Sequence, residues 1–162
     1  MGIVDLLRSK IENKTNINES EPRISWVKLV PIKVSTFIWR ANMGSIPSAI
    51  ELSRRGMMLS STYCSLCISG EESCDYLLIK CPYATEARNL IFQWCNINSP
   101  QLETVGDTIQ FVVTWGWNVK KKEWLTAICY GLVLCLWKAG NDRIFKVVFS
   151  VSSRIVNNIK SP

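Results

Sequence analysis

Apolar residues recur every three or four positions along several stretches of the chain, which is the spacing that places them on one face of an α-helix. Strand signals are weak, and the segment 110–115 fits a strand or a buried helical turn equally well. The helices predicted from this pattern cover about 31–42, 48–55, 84–95, 124–136 and 145–159. A shorter amphipathic helix is predicted near the N terminus, where the residues that share a face are Ile3, Leu6, Leu7 and Ile11. We therefore expect a mostly α fold.

Polar stretches divide the chain into three segments. One such stretch, 13–22, follows the first predicted helix, and a loop rich in Asn, Ser, Pro and Gln follows residue 95. We expect a helix and linker over 1–21, a domain over 22–98, and a C-terminal helical segment over 99–162. The domain is predicted to be a small helical unit with a cysteine-rich loop like a zinc knuckle, and two helices are predicted to close the chain.

The composition is that of a globular protein with a basic surface. Of the 162 residues, 48% are hydrophobic and 20% are charged, which is enough apolar material to bury one sizeable core. The net charge is +6, and the segment 22–60 carries six basic residues against Glu51 alone. Such a segment can meet phosphate groups of RNA or DNA, although a solvated surface is the alternative. The candidate contacts are Lys33, Arg40, Arg54 and Arg55.

The chain has no stretch typical of export or membrane insertion. Its first ten residues, MGIVDLLRSK, contain an acid and two bases without a long apolar core, unlike a secretory signal. The most apolar run, from Trp124 to Ala139, is shorter than the ~20 residues that a membrane span needs. We expect a protein of the nucleus or cytoplasm, not secreted and not in a membrane. Thiols stay reduced there, so a cluster among the seven cysteines indicates a metal site more than disulfides.

The stretch CSLCISGEESCDYLLIKCPYA, residues 64–84, begins like a zinc site. Cys64 and Cys67 form a C-x2-C clip, whose spacing lets both thiolates reach one ion at about 2.3 Å. The segment 72–80 has helical character and ends at Cys81, which is the candidate third ligand. We expect the three sulfur atoms to lie within about 4 Å of one another.

The fourth ligand of this site is missing. The chain contains no histidine, and the position that would supply a ligand from the second segment holds Tyr76. A phenolate is a poor substitute because its proton must leave a group with a pKa near 10, so the ring is expected to pack over the cluster. Cys74 is a possible substitute, but two residues along a helix correspond to a rotation of about 200°, which would turn its side chain away from the site.

Ordered motifs give the chain a resemblance to a known family. They are WVKLVPIKVSTFIWR from Trp26, CSLC followed by EESCDYLLIKCPYA around the cysteines, and WKAGNDRIF from Trp137. Together they resemble the reverse transcriptase zinc-binding domain of plant LINE-type retrotransposons, over about 26–95. The segment 124–159 looks like the part that follows this domain in such elements.

The resemblance implies a zinc ion bound by Cys, Cys, His and Cys, at Cys64, Cys67, position 76 and Cys81. Tyr76 departs from this ligand set. Two further departures are Arg88, where the resemblance implies a tryptophan, and Gly140, where it implies an arginine. Each change can arise from one base, and several such losses together suggest a decaying copy of an element rather than a redesigned site.

The other cysteines and several tryptophans are expected to be core residues, because they lie at helical spacing with other apolar side chains. They are Cys95, Cys129, Cys135, Trp39, Trp94, Trp124 and Trp137. Exposed tryptophans beside basic residues would instead hold unpaired bases. Lysines 120–122 are expected to form a solvated helix start, with a phosphate contact or a nuclear signal as the alternative.

The residues argue against an enzyme. Without histidine there is no ordinary Ser/His or Cys/His pair, and no Gly-rich phosphate loop is present. Polymerase chemistry needs clustered carboxylates for divalent metals, and the acids are scattered outside Glu71, Glu72 and Asp75. We expect a non-catalytic, retrotransposon-derived zinc-binding module that assists nucleic-acid binding in reverse transcription. The alternatives are an inert fragment of a decayed element and an accessory part of an RNA-directed DNA polymerase polyprotein.

Overall fold

The computed structural model describes residues 23–146 and 152–161, and within them the chain is mostly helical, as predicted. The helices are α1 (Ile32–Asn42), α2 (Ala49–Arg54), α3 (Pro82–Trp94), α4 (Val105–Thr114), α5 (Val119–Lys146) and α6 (Ser152–Lys160), with a π-helical turn at Tyr76–Lys80. No strand forms among the described residues, where Tyr63 and Glu71 make one isolated antiparallel bridge. The helix predicted around Ile3 to Ile11 lies outside the described residues.

Two helices of the C-terminal part differ from the prediction. The ambiguous segment 110–115 belongs largely to α4, which begins with a capping box in which Thr104 and Asp107 each accept a hydrogen bond from the other's backbone N–H. Helix α5 has 28 residues and includes Phe145, which was assigned to the last helix. That side chain is exposed, and α6 begins at Ser152. Among the described residues, three helices rather than two therefore follow residue 99.

The predicted helical stretch 72–80 is a π-helical turn over most of its length. The N–H of Cys81 donates to the carbonyl oxygen of Tyr76 at 2.7 Å, which is the i to i+5 bond of a π-helix. This wider turn buries three consecutive apolar side chains, Leu77, Leu78 and Ile79. It ends directly at Cys81, where Pro82 starts α3.

Helix α5 runs through the centre of the fold. It contacts α1, α3, α4, α6 and the π-helical turn, while α3 also packs on α6 and on the π-helical turn. Buried residues of α5 include Leu125, Tyr130 and Leu136. One aromatic pair joins α5 to α1, with the rings of Trp137 and Phe37 6.0 Å apart, and another joins α3 to α4, with the rings of Phe92 and Phe111 5.5 Å apart.

The cysteines and tryptophans that were expected in the core differ in their exposure to solvent. Cys129 is buried, and Cys95, Cys135 and Trp137 are partly buried against the core. The expectation was wrong for Trp39, Trp94 and Trp124, which are all more than half exposed. Their helices carry apolar residues on more than one face, so spacing alone did not identify the face that is buried.

Within the described ranges, none of the helices combines the length and the apolar character needed to cross a membrane. This holds for α5 as well, although it is the longest of them.

Candidate metal centre

The clip is a tight turn fixed by backbone hydrogen bonds. The N–H of Cys64 donates to the carbonyl oxygen of Gly70 at 2.7 Å, and the N–H of Ile68 donates to the carbonyl oxygen of Cys64 at 2.9 Å. Ile68 has a φ of 59°, which is the left-handed region that most side chains avoid. The turn directs the backbone N–H groups of Leu66 and Cys67 at the Cys64 sulfur. Such N–H groups stabilise a thiolate.

Cys81 reaches the clip from the other side. It lies between the π-helical turn and α3, and its side chain is fully buried. Pro82 occupies the first position of α3, where a missing N–H costs nothing. The N–H groups of Tyr83 and Ala84 in the first turn of that helix interact with the sulfur. The helix start therefore favours a negative charge at Cys81.

The three sulfur atoms form one cluster. The Sγ atoms of Cys64, Cys67 and Cys81 all lie within 4.8 Å of one another. Cys64 donates its thiol hydrogen to Cys81 across 3.8 Å, which is close to the edge of about 3.8 Å that a tetrahedron with Zn–S bonds of about 2.3 Å requires. The expected limit of about 4 Å is met by this pair, and the other two S–S distances are at most 4.8 Å. Thiolates at this spacing are suitable ligands for zinc.

The hydrogen bond between Cys64 and Cys81 shifts the pKa values of these two thiols in opposite directions. Donation to Cys81, followed by burial, raises the pKa of Cys64 far above its ordinary value. Acceptance of that bond, assisted by the N–H groups of α3, lowers the pKa of Cys81. In the metal-free cluster Cys81 is therefore the preferred thiolate, and a metal must displace the proton of Cys64.

Tyr76 lies beside the cluster and Cys74 does not. The hydroxyl group of Tyr76 is 3.4 Å from Cys67 Sγ, and this hydrogen bond, followed by burial, raises the pKa of Tyr76 to about 12. The ring packs so closely on Gly70 that a Cβ atom there would overlap it. Cys74 is buried on another side, where its thiol donates to the carbonyl oxygen of Ala41 at 3.1 Å.

Glu72 stabilises the clip through hydrogen bonds, a role that the sequence analysis does not predict. Its side chain is only 3% exposed, and its two carboxylate oxygens accept hydrogen bonds from separate elements. One accepts from the N–H of Ser65 in the clip at 2.9 Å, and the other from the N–H of Ala49 at the start of α2 at 3.3 Å. No sequence pattern predicts this role, because the two partners are distant from each other in sequence. The sequence also does not distinguish Glu72 from its neighbour Glu71, whose side chain is exposed.

Helix α5 packs against the clip through Gly140 and Arg143. Arg143 donates to the carbonyl oxygen of Leu66 at 3.2 Å. Gly140, one turn earlier, is buried, and a Cβ atom there would lie 3.2 Å from Ser65 Oγ and 3.5 Å from a methyl group of Leu77. The departure to glycine at this position therefore allows α5 to approach the clip closely.

Arg88, the other departure, contacts the end of the π-helical turn. Its Nη1 donates to the carbonyl oxygen of Ile79 at 2.8 Å, which satisfies a backbone acceptor at the turn's end. The guanidinium lies against apolar side chains of the core, and burial lowers its pKa. A charged side chain here is less favourable than an aromatic ring, since a buried charge must be desolvated.

The four basic candidates lie on α1 and at the end of α2. All four side chains are exposed. Arg54 forms an ion pair with Glu51 at 2.6 Å, and Arg40 donates to the carbonyl oxygen of Ser45 at 3.4 Å. Lys33 and Arg40 are seven residues apart on α1, so they share one side of that helix.

The fold and the cluster define a small helical protein with a buried thiol site suited to a metal ion. Residues 7–87, which are half of the chain, match the family described as zinc-binding in reverse transcriptase. The chain therefore belongs to this family. A search of curated proteins and a search of solved structures each found no match. The donor set fits the zinc that the family implies, with three thiols present and a phenol at the fourth position.

Proposed function

We propose that this chain is a non-catalytic module, derived from the reverse transcriptase of a plant LINE-type retrotransposon, that binds zinc and assists the binding of RNA or DNA. The observation that carries the proposal is the convergence of three thiols in a member of the family described as zinc-binding in reverse transcriptase. The proposed ligands are Cys64, Cys67 and Cys81.

Zinc at this cluster would have a structural role. Held by Cys64, Cys67 and Cys81, it would link the clip to the start of α3, two segments that are separated by the π-helical turn in sequence. The three thiolates provide one ligand fewer than a closed structural site, and a neutral phenol at Tyr76 contributes little. We therefore infer a weaker zinc site than four protein ligands would make.

The side chains support a non-catalytic role. The chain has no histidine to form a Ser/His or Cys/His pair. Two of the three acids that cluster in the sequence act as acceptors for backbone N–H groups: Glu72 does so for α2 and the clip, and Asp75 accepts from Val105 at the start of α4 at 2.8 Å. They stabilise helix starts rather than forming a divalent-metal centre of the kind that polymerases need.

Two alternatives have specific support. The departures Tyr76, Arg88 and Gly140 favour an inert fragment of a decayed element. Membership of a family described as zinc-binding in reverse transcriptase favours an accessory part of an RNA-directed DNA polymerase polyprotein. All seven cysteines are free thiols, which agrees with our proposal of the nucleus or cytoplasm as the compartment.

Salt-dependent binding of short RNA and DNA strands tests the nucleic-acid part of the proposal. For unpaired strands, each phosphate contact contributes about 0.7 to the slope of log affinity against log salt. Replacing Lys33, Arg40, Arg54 and Arg55 by alanine should flatten this slope by roughly two, because Arg54 is already paired with Glu51. The matched control replaces lysines 120–122, which removes three charges from the start of α5, and should leave the slope near the wild-type value.

Two results would contradict the nucleic-acid role. Wild-type protein that fails to bind either strand at low salt would favour the inert fragment. An unchanged slope in the quadruple variant would identify those residues as ordinary solvated charges.

A further inference from the structure

The outer face of α1 carries two parallel stripes of different chemistry. At 100° per residue, Ile32, Trp39 and Met43 fall within about 40° of one another, and Lys33 and Arg40 form a second row beside them. Thr36 lies between the two rows. All six side chains are exposed and together span about 120° of the helix surface.

The apolar stripe is not needed by the core. The opposite side of α1 buries Ser35, Ile38 and Ala41, and it contacts α5 and α4. On the outer side, Ile32 is 75% exposed, Trp39 51% and Met43 47%. A helix whose inner face is already packed gains little in folding from the exposed parts of these large side chains, so they are candidates for binding a partner.

The charge around the stripe selects the kind of partner. Residues 23–50 include four basic side chains, Arg23, Lys28, Lys33 and Arg40, and no acidic one. No salt bridge engages Lys33 or Arg40 within the described ranges. A second copy of the chain docked through this face would bring these positive charges together, which is unfavourable. An anionic partner with flat apolar groups fits both stripes.

We infer that the outer face of α1 binds single-stranded nucleic acid, with the Trp39 indole stacking on an unpaired base and Lys33 and Arg40 contacting the phosphates beside it. The inference rests on the proposed function and specifies its ligand. Base stacking on an aromatic ring requires unpaired bases, because the bases of a duplex already stack on each other. The half-exposed indole beside a basic row is the arrangement that proteins use for this purpose.

Variants of the full-length protein separate stacking from charge. Trp39→Leu keeps an apolar side chain without a ring, and we expect it to weaken binding of oligo(U) and oligo(dT) by roughly 5- to 150-fold while the salt slope stays unchanged. Trp39→Phe keeps a ring and should retain most of the affinity. Lys33→Ala and Arg40→Ala should each reduce the salt slope by about 0.7. A duplex of the same length should bind more weakly than the single strand and respond less to Trp39→Leu.

The outcomes separate this inference from the proposed function. If Trp39→Leu binds both strands like wild type while the four-residue basic variant loses its slope, the stacking site is wrong and the proposed function stands. If Trp39→Phe is as weak as Trp39→Leu, the stripe does not stack bases and the inference is overturned. If wild type self-associates and Trp39→Leu abolishes this in sedimentation, a second copy occupies the face. If wild type binds no strand, the proposed function fails as well.

Discussion

Tyr76 determines what kind of metal site this chain has. Its hydroxyl group hydrogen bonds to Cys67 Sγ, and its ring occupies the space over Gly70 that a larger residue there would fill. That hydrogen bond is the main cause that raises the pKa of Tyr76 to about 12, so the side chain stays a neutral phenol near neutral pH. The cluster therefore offers three thiols and no fourth charged ligand from the described residues.

Buried thiols outside the cluster predict a loss of stability in alkaline solution. Burial raises the pKa of Cys129 from its ordinary value of 9.0 to about 12. Because the pKa of Cys129 is higher in the folded state than in the unfolded state, the contribution of this thiol to the free energy of unfolding is complete below about pH 9. That contribution is lost as the pH rises toward about 12. Between about pH 8 and pH 10 the unfolded chain releases a proton that the folded chain retains, which costs roughly 1.4 kcal/mol per pH unit above 9.

We expect the free energy of unfolding of Cys129→Ala to fall less over this interval than that of wild type, by about 1.4 kcal/mol. Urea unfolding of both proteins with chelator present, at about pH 8 and about pH 10, measures the difference. Equal losses in the two proteins would show that Cys129 is not a titrating group of the folded state.

At the scale of elements, Glu72 joins the clip to α2. Removing its carboxylate leaves the N–H groups of Ser65 and Ala49 without their partners, and an unsatisfied buried donor costs about 1 to 3 kcal/mol. We expect Glu72→Ala to lower the free energy of unfolding by about 2 to 4 kcal/mol and to weaken zinc binding. The exposed neighbour supplies the control, since Glu71→Ala should change stability by less than about 0.5 kcal/mol. Similar losses in the two variants would remove this role from Glu72.

Helix positions were largely predictable where local signals agree. Helix α1 runs over Ile32–Asn42 against a predicted 31–42, because Pro31 precedes it and its apolar spacing is helical. The apolar pattern of 110–115 fits a strand or a helical turn equally well, and the stronger signal for α4 is the capping box formed by Thr104 and Asp107. The π-helical turn had no such signal, since its wide geometry depends on burying Leu77, Leu78 and Ile79 together.

The positions of side chains in the candidate site were only partly predictable. Clip spacing and the helix-ending position of Cys81 indicated that the thiols approach each other, which depends on local geometry. The contacts of Glu72 and Arg143 with the clip depend on how distant segments pack, and periodicity does not contain that information. The exposed Trp39 illustrates the same limit, because α1 carries apolar residues on both its inner and outer faces.

For the whole molecule, we expect helix packing rather than metal to be the main source of stability. The buried cluster is continuous from α1 through the π-helical turn to α5 and α6, and it includes Cys64 and Cys81. The clip is also held by protein groups, through Glu72 and Arg143. We therefore expect the fold to persist with chelator, and zinc to add stability by binding the folded state.

A zinc titration of wild type, Tyr76→His and Cys74→Ser, followed by melting of each protein, tests the central claim that three thiols form a zinc site lacking its fourth ligand. Tyr76→His should bind zinc at least about tenfold more tightly than wild type. At excess zinc this should raise Tm by roughly 3 to 6 °C more than in wild type, since metal that binds only the folded state stabilises it. Cys74→Ser should bind zinc like wild type, because its thiol contacts Ala41 instead. Tight binding by wild type that Tyr76→His does not improve and Cys74→Ser abolishes would contradict the account.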